Sequence, residues 1–149
     1  MSTEQLASAR TPTRRGTRAE PAVRALVVLG LTVDAVVHLR LAPAMDLAAP
    51  GGIGGGNLFR MQGAAAGAVA LVLLLTGRRW AYVLALLAAL SALVPSLLYH
   101  VVDVPAVGPV PSMHDPLWSP EKVVSMVGEA LAAALAALGA RMTRTRPDA

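Results

Sequence analysis

The chain has 149 residues, 55% of them hydrophobic and 15% charged, with a formal net charge of +4 and no cysteine. A soluble domain of this length carries about 25% charge, so a mean hydropathy of +0.58 points instead to a chain whose main solvent is lipid. The lack of cysteine excludes disulfides, thiolate metal sites and cysteine nucleophiles, and arginines placed beside apolar segments, rather than on a basic aromatic surface, exclude a nucleic-acid partner.

Residues 1–20 are polar and rich in Thr, Ser and Arg, and are expected to form a disordered, basic cytoplasmic tail. Residues 21–141 form the membrane domain, and 142–149 a short second cytoplasmic tail. Four spans are predicted, at about Pro21–Leu41, Leu58–Thr76, Trp80–Val101 and Glu121–Ala140. Each is near the roughly 20 residues needed to cross a hydrocarbon core of about 30 Å. The fold class expected is therefore all-α, a transmembrane four-helix bundle. Ala42-Pro43-Ala44 loosely resembles a signal-peptide cleavage site, but the long polar leader and an acid within the apolar run argue against cleavage. Arg14-Arg15 is a weak twin-arginine pattern, with no strongly apolar residues directly after it.

The connections have their own signals. Residues 43–57 include Gly51-Gly52-Ile53-Gly54-Gly55-Gly56, which reads as a flexible outer loop. Gly77-Arg78-Arg79 reads as a helix stop and tight turn. Pro95 is expected to kink the third span and to free a carbonyl near Leu90–Ser91. The linker 103–119 is rich in proline. Ser119-Pro120-Glu121 reads as an N-cap, a proline at the first helical position and an acid on the positive end of the helix dipole.

Arginine sets the orientation. Arg10, Arg14, Arg15, Arg18 and Arg24 precede or open the first span, Arg78 and Arg79 lie between the second and third, and Arg141, Arg144 and Arg146 follow the fourth. The positive-inside rule makes that side cytoplasmic, with both termini inside and the location a cell membrane. The opposite loops carry Asp46, Asp103 and Asp115. The aromatic residues Phe59, Trp80, Tyr82, Tyr99 and Trp118 all fall at predicted span ends, as an interfacial belt with none left for the core.

Acids within spans are costly and are functional candidates. Asp34 lies somewhat outward of the first span's centre, with His38 one turn further out on the same face. Glu129 lies near the middle of the fourth span. Gln62 is about one turn inside the outer end of the second, and His100 and Asp103 end the third. With Arg40, Arg60 and Lys122 at the same level, every span contributes polar groups to the outer half, whereas the inner half is nearly all aliphatic. If they face inward, Asp34, His38, Arg60, Gln62, His100, Asp103 and Glu129 line one polar pocket.

Four chemistries compete for these residues. They can set helix register through ion pairs and hydrogen bonds worth about 0.6–2 kcal/mol each. Asp34, His38 and Glu129 can exchange protons, although the inner half offers no continuing pathway. Asp34-x-x-x-His38 and His100-x-x-Asp103 each place two ligands on one helical face, and Glu129 can complete a metal set. His38 and His100 can serve instead as axial haem ligands. His114 reads as a solvated loop residue. Ser91, Ser96 and Ser125 sit in no nucleophile elbow. Gly63-x-x-x-Gly67 is a close-packing motif for another helix, within the chain or in a second copy or membrane partner; no Lys-Ser/Thr follows to make it a phosphate loop.

The segments Asp34-x-x-x-His38-Leu39-Arg40-Leu41-Ala42-Pro43, Leu58-Phe59-Arg60-x-Gln62, Tyr99 to Val104 and Trp118-Ser119-Pro120-Glu121-Lys122 together resemble small four-span integral membrane proteins of high-GC actinobacteria. The resemblance covers nearly all of residues 21–141 and implies topology without a mechanism. A looser similarity to DoxX-like four-helix membrane proteins rests on size and span count alone. The leading expectation is a non-enzymatic binding or accessory subunit in the lipid bilayer, needing no cofactor. The alternatives are a metal- or haem-binding redox protein and a proton-linked transport component.

Overall fold

The computed structural model describes residues 19–144. Four helices follow in chain order: α1 (Ala19–Ala48), α2 (Gly55–Thr76), α3 (Arg79–Val101) and α4 (Pro120–Met142). All four are long and apolar enough to cross a membrane. They form a ring in which α1 packs on α2 and α4, and α3 packs on α2 and α4, with little diagonal contact. The expected all-α four-helix bundle is the fold observed.

The core is built from small residues. Ala70, Ala81, Ala85, Ala89, Ala132 and Ala136 are buried, while Leu29, Leu71, Leu75, Leu87 and Leu131 are exposed. This suits a lipid solvent, because acyl chains solvate leucine as well as a protein core does and helices gain most from close backbone approach. Glycines mark the closest approaches. A Cβ at Gly30 of α1 would lie 3.0 Å from Ala132 Cβ and 3.1 Å from the Gly128 carbonyl of α4. A Cβ at Gly63 of α2 would lie 2.8 Å from Leu39 Cγ and 3.1 Å from the Ala35 carbonyl of α1. The close approach expected of Gly63 is thus made within the chain.

Two of the predicted ends are sharply defined. Gly77 caps α2 at φ 57°, ψ 17° and donates its N–H to the Leu73 carbonyl, a left-handed position that glycine adopts without steric cost. Ser119 caps α4, its Oγ accepting from Lys122 N at 3.1 Å, with Pro120 at the first position.

Three features depart from the sequence reading. First, α1 does not stop near Leu41 but runs through Pro43 to Ala48. A proline costs a helix one N–H and crowds the preceding turn, yet this turn is held from outside: Arg60 of α2 grips Asp46 with two hydrogen bonds, of 2.6 and 3.1 Å. Gly55 and Gly56 allow α2 to start directly against Ala42, Met45 and Ala49.

Second, the glycine run is an organised turn. Gly51, Gly52 and Gly54 take positive φ, Gly54 N donates to the Gly51 carbonyl at 2.8 Å, and Ile53 N donates to the Pro109 carbonyl of the other outer linker at 2.8 Å. That linker is itself folded back by antiparallel bridges, Val104 with Met113 and Val107 with Val110.

Third, Tyr82 stands near a span end as expected, in the first turn of α3, but it belongs to the core and is fully buried. A Cβ at Gly139 would run into its ring, so the missing side chain of Gly139 is the space the ring occupies. Its hydroxyl donates to Glu20 Oε1 at 2.8 Å. Glu20, assigned to the tail on sequence grounds, belongs to α1, where it also lies 3.7 Å from Arg24 Nε. Residues 1–18 of the expected N-terminal tail lie outside the described residues, as do residues 145–149 of the C-terminal one.

Candidate functional site

Two close helix crossings assemble the site. Gly30 lies one turn inward of Asp34 on the same face of α1, and Gly128 directly precedes Glu129 on α4. Because α1 and α4 nearly touch there, the two acids meet across the interface. Asp34 is 0% and Glu129 1% exposed. The i, i+4 spacing places His38 beside Asp34, with Nδ1 2.6 Å from Asp34 Oδ1. Ligand atoms of Asp34, His38 and Glu129 all lie within 4.8 Å of one another.

Each acid has one oxygen held by a polar neighbour outside the cluster. The α1–α2 crossing at Gly63 brings in the neighbouring Gln62, whose Nε2 donates to Asp34 Oδ2 at 3.1 Å and to the Ala88 carbonyl at 3.0 Å. Gln62 Oε1 accepts from Ser91 Oγ at 3.1 Å. Ser125 Oγ donates to Glu129 Oε1 at 2.7 Å. Asp34 Oδ1 and Glu129 Oε2 are buried without a hydrogen-bond partner. His38 Nδ1 lies between Asp34 Oδ1, at 2.6 Å, and the Asp34 carbonyl, at 3.1 Å.

Outward of this cluster is a cavity of about 670 Å³. Its walls are Leu41 and Met45 of α1, Leu58, Phe59 and Met61 of α2, and Pro95, Ser96 and Tyr99 of α3, with Val110 and Met113 of the outer linker above. His38, Gln62, Ser91 and Ser125 supply polar groups within it. The His38 ring lies against Phe59, 4.8 Å between centroids. Lys122, His114 and Asp115 line its linker side. There Lys122 Nζ lies 3.0 Å from Asp115 Oδ2 and donates to the Asp115 and Leu117 carbonyls at 2.5 and 3.3 Å.

The other sequence candidates lie elsewhere. Arg60 is exposed and committed to Asp46. Asp103 and Arg40 are exposed. His100 is outside the three-residue cluster and packs on Trp118, 4.1 Å between centroids, with Nδ1 buried and unpartnered. Sequence reasoning missed Ser91 and Ser125 as partners of the polar cluster. Ser125 stands four residues before Glu129, the same helical spacing that links Asp34 to His38. Inward of the acids the core is apolar, through Val27, Leu31, Ala70, Leu73, Ala85 and Ala136.

The fold and site together define a class: a multi-pass membrane bundle of four helices, with a cavity near one end and a buried His/carboxylate cluster beneath it. No protein-family model, curated protein or solved structure matches the chain.

Proposed function

We propose that this protein is a non-enzymatic binding protein of the cell membrane, with both termini cytoplasmic, that takes a small, mostly apolar molecule from the outer half of the bilayer. The observation that carries this reading is the cavity. A volume of about 670 Å³ falls within the roughly 300–1,000 Å³ of small-molecule sites, which are mainly apolar with a few placed polar groups. Here the apolar walls would take the hydrocarbon part of the ligand, while His38, Gln62 and Ser91 address a hydrogen-bonding head group. Arg24, Arg78, Arg79, Arg141 and Arg144 gather at the end opposite the cavity, which supports the orientation under the positive-inside rule.

The test is organic extraction and mass spectrometry of protein purified in mild detergent, followed by displacement of an apolar fluorescent probe. A small amphiphile should copurify, and Ser96→Trp, which fills the cavity from α3, should weaken probe binding by roughly tenfold or more. Folded protein that retains no small molecule, and binds the probe equally well with Ser96→Trp, would refute the reading.

A further inference from the structure

We infer that Asp34, His38 and Glu129 form a binding site for one divalent first-row metal ion, with Zn²⁺ the best match to the donors. The inference stands apart from what the cavity above it holds. One imidazole nitrogen and two carboxylates are a donor set zinc accepts, and three protein ligands with one position left open is its usual reactive-site arrangement. The ligand atoms lie within 4.8 Å of one another, against roughly 3.4 Å between two ligands of a tetrahedral zinc ion at about 2.1 Å. Side-chain rotations that draw the three groups together close that gap.

Two independent observations point to a cation. The first is the pair of buried oxygens. Glu129 Oε2 has no hydrogen-bond partner and Asp34 Oδ1 has only the short contact to His38 Nδ1, on residues 1% and 0% exposed. An unsatisfied carboxylate oxygen at membrane depth is costly, and a metal ion satisfies both at once. The second is the surrounding support. Gln62 holds the other oxygen of Asp34, and Ser125 holds the other oxygen of Glu129. Metal ligands are typically oriented in this way, by hydrogen bonds to the atoms that do not bind the ion.

Charge gives the same answer. Two carboxylates and a neutral imidazole sum to minus two, and a divalent ion cancels this. Nearby basic side chains are engaged elsewhere, Arg60 with Asp46 and Lys122 with Asp115. The rival occupant is a proton shared between the two acids, which would neutralise the site without an ion.

The experiment uses the full chain in detergent micelles, stripped with chelator and titrated with Zn²⁺, then with Co²⁺ as an absorption probe of coordination. Glu129→Gln keeps the size and a hydrogen-bonding partner for Ser125, and His38→Gln removes the imidazole. Asp103→Asn is the exposed-acid control. The expected result is one ion per chain, with a visible Co²⁺ band. Affinity should fall at least about 100-fold, the upper end of what loss of a supporting contact costs, in both site variants and stay unchanged in the control, with helical circular dichroism retained throughout. Folded wild-type protein that takes up no ion would overturn the assignment in favour of the shared proton. So would uptake that Glu129→Gln leaves intact. Should Glu129→Gln fail to fold, His38→Gln alone decides.

Discussion

Gln62 donates to Asp34 Oδ2 at 3.1 Å and, from the same nitrogen, to the Ala88 carbonyl at 3.0 Å. One side chain on α2 thereby ties an acid of α1 to the backbone of α3 across the bundle. It also decides which oxygen of Asp34 is left free to face Glu129 and His38. The cluster is therefore a property of three interfaces, and changes that touch no ligand are expected to disturb it.

Gln62→Leu removes this tie. The variant should unfold more readily by about 1–2 kcal/mol, the range of interhelical hydrogen bonds in membranes, in an SDS titration of micellar protein. It should also weaken zinc binding, because Asp34 loses the contact that orients it. A variant as stable as the wild type would show that Gln62 contributes nothing to the packing.

Glycine pairs should separate close packing from simple backbone freedom. At Gly30 an added methyl would stand 3.0 Å from Ala132 Cβ and 3.1 Å from the Gly128 carbonyl, whereas at Gly67 it would meet only Ala35 Cβ, at 3.9 Å. Gly30→Ala should therefore destabilise by about 1–3 kcal/mol, as overpacking does, and reduce zinc affinity by parting α1 from α4. Gly67→Ala should be neutral or stabilising, by up to about 1 kcal/mol from helix propensity. Equal effects of the two changes would remove the link between this crossing and the site.

These contrasts explain what was legible in the chain beforehand. Hydropathy and arginine placement located the four helices, because length and solvent preference are local properties. The caps at Gly77 and Ser119 were legible for the same reason. Asp34 and His38 could be put on one face by spacing alone. That Glu129 meets them could not, since it depends on Gly30 and Gly128 sharing a crossing, and the sequence does not say which small residues face which. The stretch from Pro43 onward reads as outer loop until Arg60 is seen holding Asp46 within α1. That Tyr82 belongs to the core is not legible until Gly139 is seen making room for its ring.

Among the described residues, Tyr82 and Glu20 form the one side-chain hydrogen bond between helices at the arginine-rich end. Tyr82→Phe leaves the ring in place and removes the donor to a buried acid. It should cost about 1–3 kcal/mol and leave zinc and probe binding unchanged, because the apolar core separates this pair from the cavity. Thermal unfolding alongside a binding titration checks both halves.

The lack of cysteine makes orientation directly testable. Ser112 lies exposed in the linker at the cavity end, and Arg79 is exposed at the opposite end. In intact cells, Ser112→Cys should react with a membrane-impermeant maleimide, whereas Arg79→Cys should react only after lysis. The reverse pattern would place the cavity on the cytoplasmic side and overturn the positive-inside assignment.

Lys122 is the residue that fastens the outer linker to α4. Its ammonium reaches Asp115 through both side chain and carbonyl, bonds to the Leu117 carbonyl, and lies 5.6 Å from the centroid of the Trp118 ring. The linker is also held by Ile53 N to the Pro109 carbonyl, by Asp115 N to the Tyr99 carbonyl and by Trp118 packed on His100. Lys122→Met keeps much of the apolar stem and removes every ionic and hydrogen-bonding contact of the head. Helix packing should survive, since α4 retains its Ser119 cap and its alanine face. The linker should open more often, so amide hydrogens of residues 104–115 should exchange faster while those of the helix interiors do not. A cavity ligand should leave faster as well, because Met113, His114 and Asp115 line the cavity from this linker. Faster exchange without faster release would mean that the linker covers the cavity but does not limit access to it.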